Sequence, residues 1–176
     1  MLPDLLKRTE LFINEAIPKL PANINLVSRD GILAMEDALR QAFDSDDSGD
    51  WEDNFPCVHR FSLGIYCREI HIAAGHIVIG KIHKFEHLNV ISKGHVTCLT
   101  EFGIEEYHAP YTFISRPGVK RVVFAHEDTI WAGFFPAETT NPDDVEEKII
   151  CKTYADLDAH LALTSKTEEK LLCGQQ

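Results

Sequence analysis

Seven of the chain's nine histidines, His59, His71, His76, His83, His87, His95 and His108, fall between residues 59 and 108. Imidazole ligates most transition metals and changes charge near neutral pH, so this clustering marks a candidate site. Lys81, His83 and His87 stand close together in it, and Tyr111 and Arg121 follow on later segments rich in strand formers. In a strand, residues 79, 81 and 83 share one face, so Lys81 and His83 point the same way; Arg121 likewise shares a face with Val123. Along one straight strand His83 and His87 would stand roughly 13 Å apart, too far for one ion. Joint action therefore requires the chain to reverse at Lys84-Phe85-Glu86. His126 is out of parity with Arg121 and is expected on a loop or outer face. His59, His71, His76, His95 and His108 read as strand-surface or turn residues, and Trp51 and Trp131 as core anchors. No Ser-His-Asp arrangement, Gly-rich phosphate loop or paired-carboxylate pattern is present.

The elements that must position these residues change character along the chain. From Cys57 to about Pro136, short runs of Val, Ile, Phe, Tyr and Thr are separated by Gly64, Gly75, Gly80, Gly94, Gly103, Pro110 and Pro117-Gly118. That spacing predicts an antiparallel sandwich or barrel with strands at 57–62, 65–72, 76–83, 87–91, 94–100, 104–108, 111–115, 119–125 and 129–135. Before it, Leu5, Leu11, Ile13 and Ile17 form one helical stripe, and Ile32, Met35, Leu39 and Phe43 a second. After it, Asn141-Pro142-Asp143-Asp144 starts a helix, with further helical turns at 155–163 and 167–172. The organisation expected is a helical segment with an acidic linker at 1–56, a barrel at 57–136 and a helical tail at 137–176. The linker opens like a calcium loop, with Asp44, Asp46 and Ser48 at alternate positions and Gly49 sixth, but Phe55 stands where a bidentate Glu is required. It reads as a charged loop.

Composition narrows the partners. With 176 residues and a net charge of -11, the surface repels phosphate backbones and anionic lipid, so neither nucleic acid nor membrane is expected as a partner. No run approaches the length of a transmembrane helix, and no signal-type core opens the chain; a cytoplasmic protein is expected. The cysteines, Cys57, Cys67, Cys98, Cys151 and Cys173, are irregularly spaced and odd in number, which fits reduced thiols rather than a disulfide scaffold.

The segment from Gly75 to Gly94, containing Lys81, His83 and His87, followed by Tyr111 to Ala125 with its Pro117-Gly118 turn, resembles the two motifs of the cupin superfamily. The resemblance implies a mainly β fold with flanking helices around a small antiparallel jelly-roll barrel. It places His87 where cupins carry a metal-binding Glu, His83 at the second histidine, Lys81 at the first, Arg121 at the histidine of the second motif and Ala125 at its Asn. Two of four metal ligands have thus become cations. The longer block His59 to Gly94, with Ala109 to Ser115 and His126 to Trp131, is similar to small cupin-fold proteins of tailed bacteriophages and prophages, for which no activity follows.

Three readings stay open at this point. A divalent ion (zinc, iron, manganese or nickel) could sit on His83 and His87 with Glu86 or water as a third ligand, as in a metal-dependent dioxygenase or isomerase. Alternatively, Lys81, His83, His87 and Arg121, with Tyr111 near the barrel wall, form a cationic pocket for a small anionic molecule. In the third, the barrel is a non-catalytic virion or interaction scaffold. A homodimer is also expected, since a small barrel has open strand edges and the flanking helices carry apolar stripes that need covering.

Overall fold

The computed structural model describes residues 24–43 and 55–173. The first helical stripe, the calcium-like loop and Trp51 lie outside the described residues.

Alternating apolar residues over 57–136 form ten strands: β1 (Cys57–Ser62), β2 (Ile65–Ile72), β3 (Ile77–Ile79), β4 (Ile82–His83), β5 (His87–Lys93), β6 (His95–Thr100), β7 (Gly103–His108), β8 (Tyr111–Ser115), β9 (Val122–Ala125) and β10 (Thr129–Pro136). One sheet has the order β1-β2-β10-β5-β8 and the other β3-β9-β6-β7. Antiparallel pairs nest within one another: β6 with β7, β5 with β8, β3 with β9 and β2 with β10. A long hairpin rolled up in this way is a jelly roll, so the chain is an antiparallel jelly-roll barrel with flanking helices. Its core lies between the sheets and is built from Ile72, Ile91, Val96, Cys98, Val123, Ala125 and Trp131, together with Phe55 from the segment before β1.

Both motif turns need glycine. Gly94, between β5 and β6, has φ +96°, and a Cβ there would lie 2.3 Å from Thr129 Oγ1 and 2.7 Å from the Asp128 carbonyl. Gly118 has φ +82°, with Leu157 Cδ2 2.4 Å from where its Cβ would be.

The helices cover the barrel. Helix α1 (Arg29–Phe43) lays Ile32, Met35 and Leu39 on Leu99 and Val122, the outer face of the second sheet. Its apolar stripe is thus buried on the same chain, which removes this stripe from the grounds for a dimer. Asn141 caps α2 (Pro142–Ile149) by accepting from the Asp143 amide. It is followed by β11 (Ile150–Cys151) and α3 (Tyr154–Cys173), one helix where two helical pieces are expected from the sequence. The strand expected at 76–83 breaks at Gly80-Lys81, and β4 leaves the main sheets to pair with β11. Ile82 then packs outward on Cys151, Tyr154 and Leu157. The C-terminal segment is therefore part of what holds His83. Among the described residues no disulfide joins Cys57, Cys67, Cys98 or Cys151, and no helix is long and apolar enough to cross a membrane.

Candidate functional site

A cavity of about 240 Å³ opens between the two sheets of the barrel. It is several times the roughly 30 Å³ share of one water and falls near the small end of ligand pockets. Its floor is made by β10, where Gly133 pairs with Arg68 of β2 on one side and with Asn89 of β5 on the other. With no side chain at Gly133, Arg68, Asn89 and Phe135 stand around open space.

His83 and His87 reach this space from either side of the chain reversal at 84–86. Their ring centroids are 4.3 Å apart, and each packs on Phe135, at 5.1 Å and 4.7 Å. His83 is fixed by β4–β11 pairing, by the Gly118 amide donating to its carbonyl at 2.8 Å, and by the Lys84 amide donating to the Ile149 carbonyl at 2.7 Å. His87 is buried, and its Nδ1 donates to the Phe85 carbonyl at 3.1 Å, which leaves Nε2 as an acceptor. Burial holds the His83 imidazole well below its ordinary pKa, and His87, Arg68, Arg121 and Lys81 push it the same way. Burial also lowers His87, partly opposed by the Phe85 carbonyl and assisted by Arg121. Both rings are neutral at pH 7.

The cations divide into paired and unpaired. Lys81 lies at the mouth, half-exposed, with its Nζ 2.6 Å from Glu146 Oε2; Arg68 Nε lies 3.7 Å from the other oxygen of Glu146. At another part of the rim, Lys120 is buried against Glu36 of α1 at 2.9 Å, and Glu36 also binds Arg40. Arg121 has no carboxylate partner among the described residues. Its Nη1 donates to the buried Ser115 Oγ at 2.8 Å, and its guanidinium lies 5.2 Å from the Phe113 ring centroid. Three buried polar atoms lining the cavity have no hydrogen-bond partner among the described residues: Arg68 Nε, Arg121 Nε and His83 Nδ1.

The structure therefore brings Lys81, His83, His87 and Arg121 to one cavity, with Lys81 turned to its rim by Glu146 rather than into the barrel. Tyr111 is not brought there. It stacks on Tyr107 at 4.9 Å and is exposed on the sheet edge. Glu86, the third ligand the sequence offers, is exposed on the reversal and does not line the cavity. Arg68, Asn89, Lys120 and Glu36 line it although nothing in the cluster of histidines points to them. Asn89 was within reach of strand parity, two residues beyond His87 on the same face; it accepts from Trp131 Nε1 at 2.9 Å.

These residues do not fit a resident metal. Among the described residues, no third His, Cys, Asp or Glu joins His83 and His87 in a ligand group. The guanidinium groups of Arg68 and Arg121 add positive charge where a dication would sit. The same charges that help keep His83 unprotonated oppose an ion on it.

No protein-family model matches the chain, and no curated protein does. Solved structures similar to it include a cupin superfamily protein from Desulfitobacterium hafniense, 7% identical with TM-score 0.41, covering 53% of this chain and 83% of that one. KdgF from Halomonas sp. is 13% identical with TM-score 0.44, covering 58% of this chain and 94% of that one. A salicylate 1,2-dioxygenase from Pseudaminobacter salicylatoxidans is 9% identical with TM-score 0.43, covering 56% of this chain but 30% of its own. Likeness at this level carries no argument about activity, and the architecture stands on the nested strand pairing.

Proposed function

We propose that the barrel binds a small anionic molecule, a carboxylate or phosphate compound, at Arg121, Arg68, His83 and His87. The observation that supports this is a set of three buried polar atoms around one cavity that have no hydrogen-bond partner among the described residues, two of them guanidinium N–H donors, of which Arg68 Nε stands 3.7 Å from Glu146 and Arg121 Nε has no carboxylate beside it. Leaving such donors unpaired costs on the order of 1–3 kcal/mol each, and an anion supplies the acceptors they lack. Neutral imidazoles at His83 and His87 present an uncharged wall that can donate or accept, which orients the ligand without adding charge.

Native mass spectrometry of the purified full chain tests for a co-purifying molecule, and calorimetry with inorganic phosphate and a panel of small mono- and dicarboxylates tests binding directly. At least one anion should bind the wild type, and Arg121→Met should weaken it by at least 10-fold. Gly133→Val, whose side chain would occupy the floor, should abolish binding. If no anion binds the wild type and nothing co-purifies, the barrel is a scaffold, the reading in which its phage-like motifs belong to a virion or interaction protein.

A further inference from the structure

The outer face of the second sheet carries another set of ligating side chains, and it differs from the barrel interior in charge. Helix α1 covers one end of this face, over Leu99 and Val122. At the other end, His95 of β6 lies directly opposite His108 of β7, and Glu106 lies opposite Thr97. Residues 95, 97, 106 and 108 share this face, while Val96 and Tyr107 are buried on the other. The rings of His108 and His126 sandwich that of His95, at centroid distances of 3.8 Å and 4.3 Å. His126 is in turn held by Thr97 Oγ1 at 2.7 Å. Glu106 Oε1 lies 2.6 Å from His95 Nε2 and 4.0 Å from His108 Nε2. One ligand atom from each of His95, Glu106 and His108 lies within 4.8 Å of the others.

We propose that His95, Glu106 and His108 form a surface site for a borderline divalent transition metal, zinc above all, with His126 as a positioning residue. Around tetrahedral zinc, ligand atoms about 2.0–2.2 Å from the ion stand roughly 3.3 Å apart. The two distances to Glu106 bracket that value; the exposed His108 ring turns out of its stack on His95 so that both Nε2 lone pairs converge on the ion, and zinc replaces the proton that His95 Nε2 and Glu106 now share. Two imidazoles and one carboxylate are a donor set that zinc uses with water in the fourth position. The Glu106 carboxylate offsets the charge of the ion, whereas the barrel cavity opposes it with arginines. His95 is only 17% exposed and is held on one face by His126, so its own ordering precedes binding. A bound ion would clasp β7, an edge strand, to β6.

Zinc chloride titrated by calorimetry into the untagged, EDTA-dialysed full chain should give one ion per chain at this site. His108→Ala and Glu106→Gln should each weaken that binding by at least 10-fold, and both residues are exposed enough to be changed without loss of the fold. Zinc should raise the thermal midpoint of the wild type and leave that of His108→Ala unchanged. The double variant His83→Asn/His87→Asn should bind zinc as the wild type does. Unaltered affinity in both His108→Ala and Glu106→Gln, loss of binding in the His83/His87 variant, or no zinc binding by the wild type would each overturn the assignment.

Discussion

Two groups of histidines on one barrel have opposite surroundings. His83 and His87 face an interior crowded by Arg68 and Arg121, are neutral, and have no carboxylate between them. His95 and His108 lie on the outside with Glu106 bonded to one and near the other, in a chain of net charge -11. Similar ring contacts, 4.3 Å inside and 3.8 Å outside, therefore lie in surroundings of opposite charge. The charge within hydrogen-bond reach of an imidazole decides whether it suits an anion or a cation, more than the imidazole itself.

One member of each group, His87 and His95, lies on the two strands that the Gly94 turn joins, so the largest effect should come from disturbing it. Gly94→Ala forces a Cβ against the Asp128 carbonyl at 2.7 Å with φ at +96°, which should cost about 2–5 kcal/mol in urea unfolding. It should also weaken zinc binding at the neighbouring His95. A stability within 0.5 kcal/mol of wild type would mean the turn relaxes and that the two clusters are not tied through it.

Much of this architecture can be read in the residues. The strand spacing and the Gly94 and Pro117-Gly118 turns lead to the nested barrel, and parity places Val123 and Arg121 inward and His126 outward. Parity is a local rule, and it fails where tertiary contacts take over. Lys81 is drawn to the rim by Glu146 on α2, which is 65 positions away. Strand 76–83 breaks because its second half pairs with β11 instead of the main sheet. Conversely, the outer cluster was accessible from the hairpin alone. A tight turn at Glu101-Phe102 sets the register that places His95 against His108, but five scattered histidines read singly as surface residues do not show which of them share a face.

Acidification should separate interior from exterior next. Because His83 and His87 are held below the ordinary value of about 6.5, the unfolded chain takes up protons there that the folded chain refuses. Folding stability should thus fall as pH drops below about 6.5, and continue falling until the folded-state groups themselves titrate. In urea melts at pH 7.5, 6 and 5, His83→Asn/His87→Asn should show a shallower decline than wild type. Parallel declines would show that the interior pair is not desolvated.

Arg121 offers a smaller effect of unusual sign. A guanidinium with no carboxylate partner among the described residues stabilises little, and its removal relieves the orphaned Nε. Removing it alone strands the buried Ser115 Oγ, so the informative variant is Arg121→Met/Ser115→Ala, which should be as stable as wild type or up to about 1 kcal/mol more stable. Anion affinity should nonetheless fall. That combination is what a residue retained for binding shows; a loss above 2 kcal/mol would make Arg121 a structural member of the barrel.

The smallest effect should be at the outer cluster when no metal is present. His108 is 68% exposed at the side chain and sits on an edge strand; its stack on His95 and its 4.0 Å approach to Glu106 are both solvent-screened. Surface contacts of this kind shift stability by no more than about 0.5 kcal/mol, so metal-free His108→Ala should unfold within that margin of wild type. Adding zinc should then open a gap between the two proteins, because an ion bound only to the folded state stabilises by mass action. The gap should grow with the logarithm of zinc concentration above the dissociation constant. A difference that is already present in EDTA and does not change with zinc would make the histidine stack a packing feature of the sheet, and the contrast between interior and exterior would lose its chemical meaning.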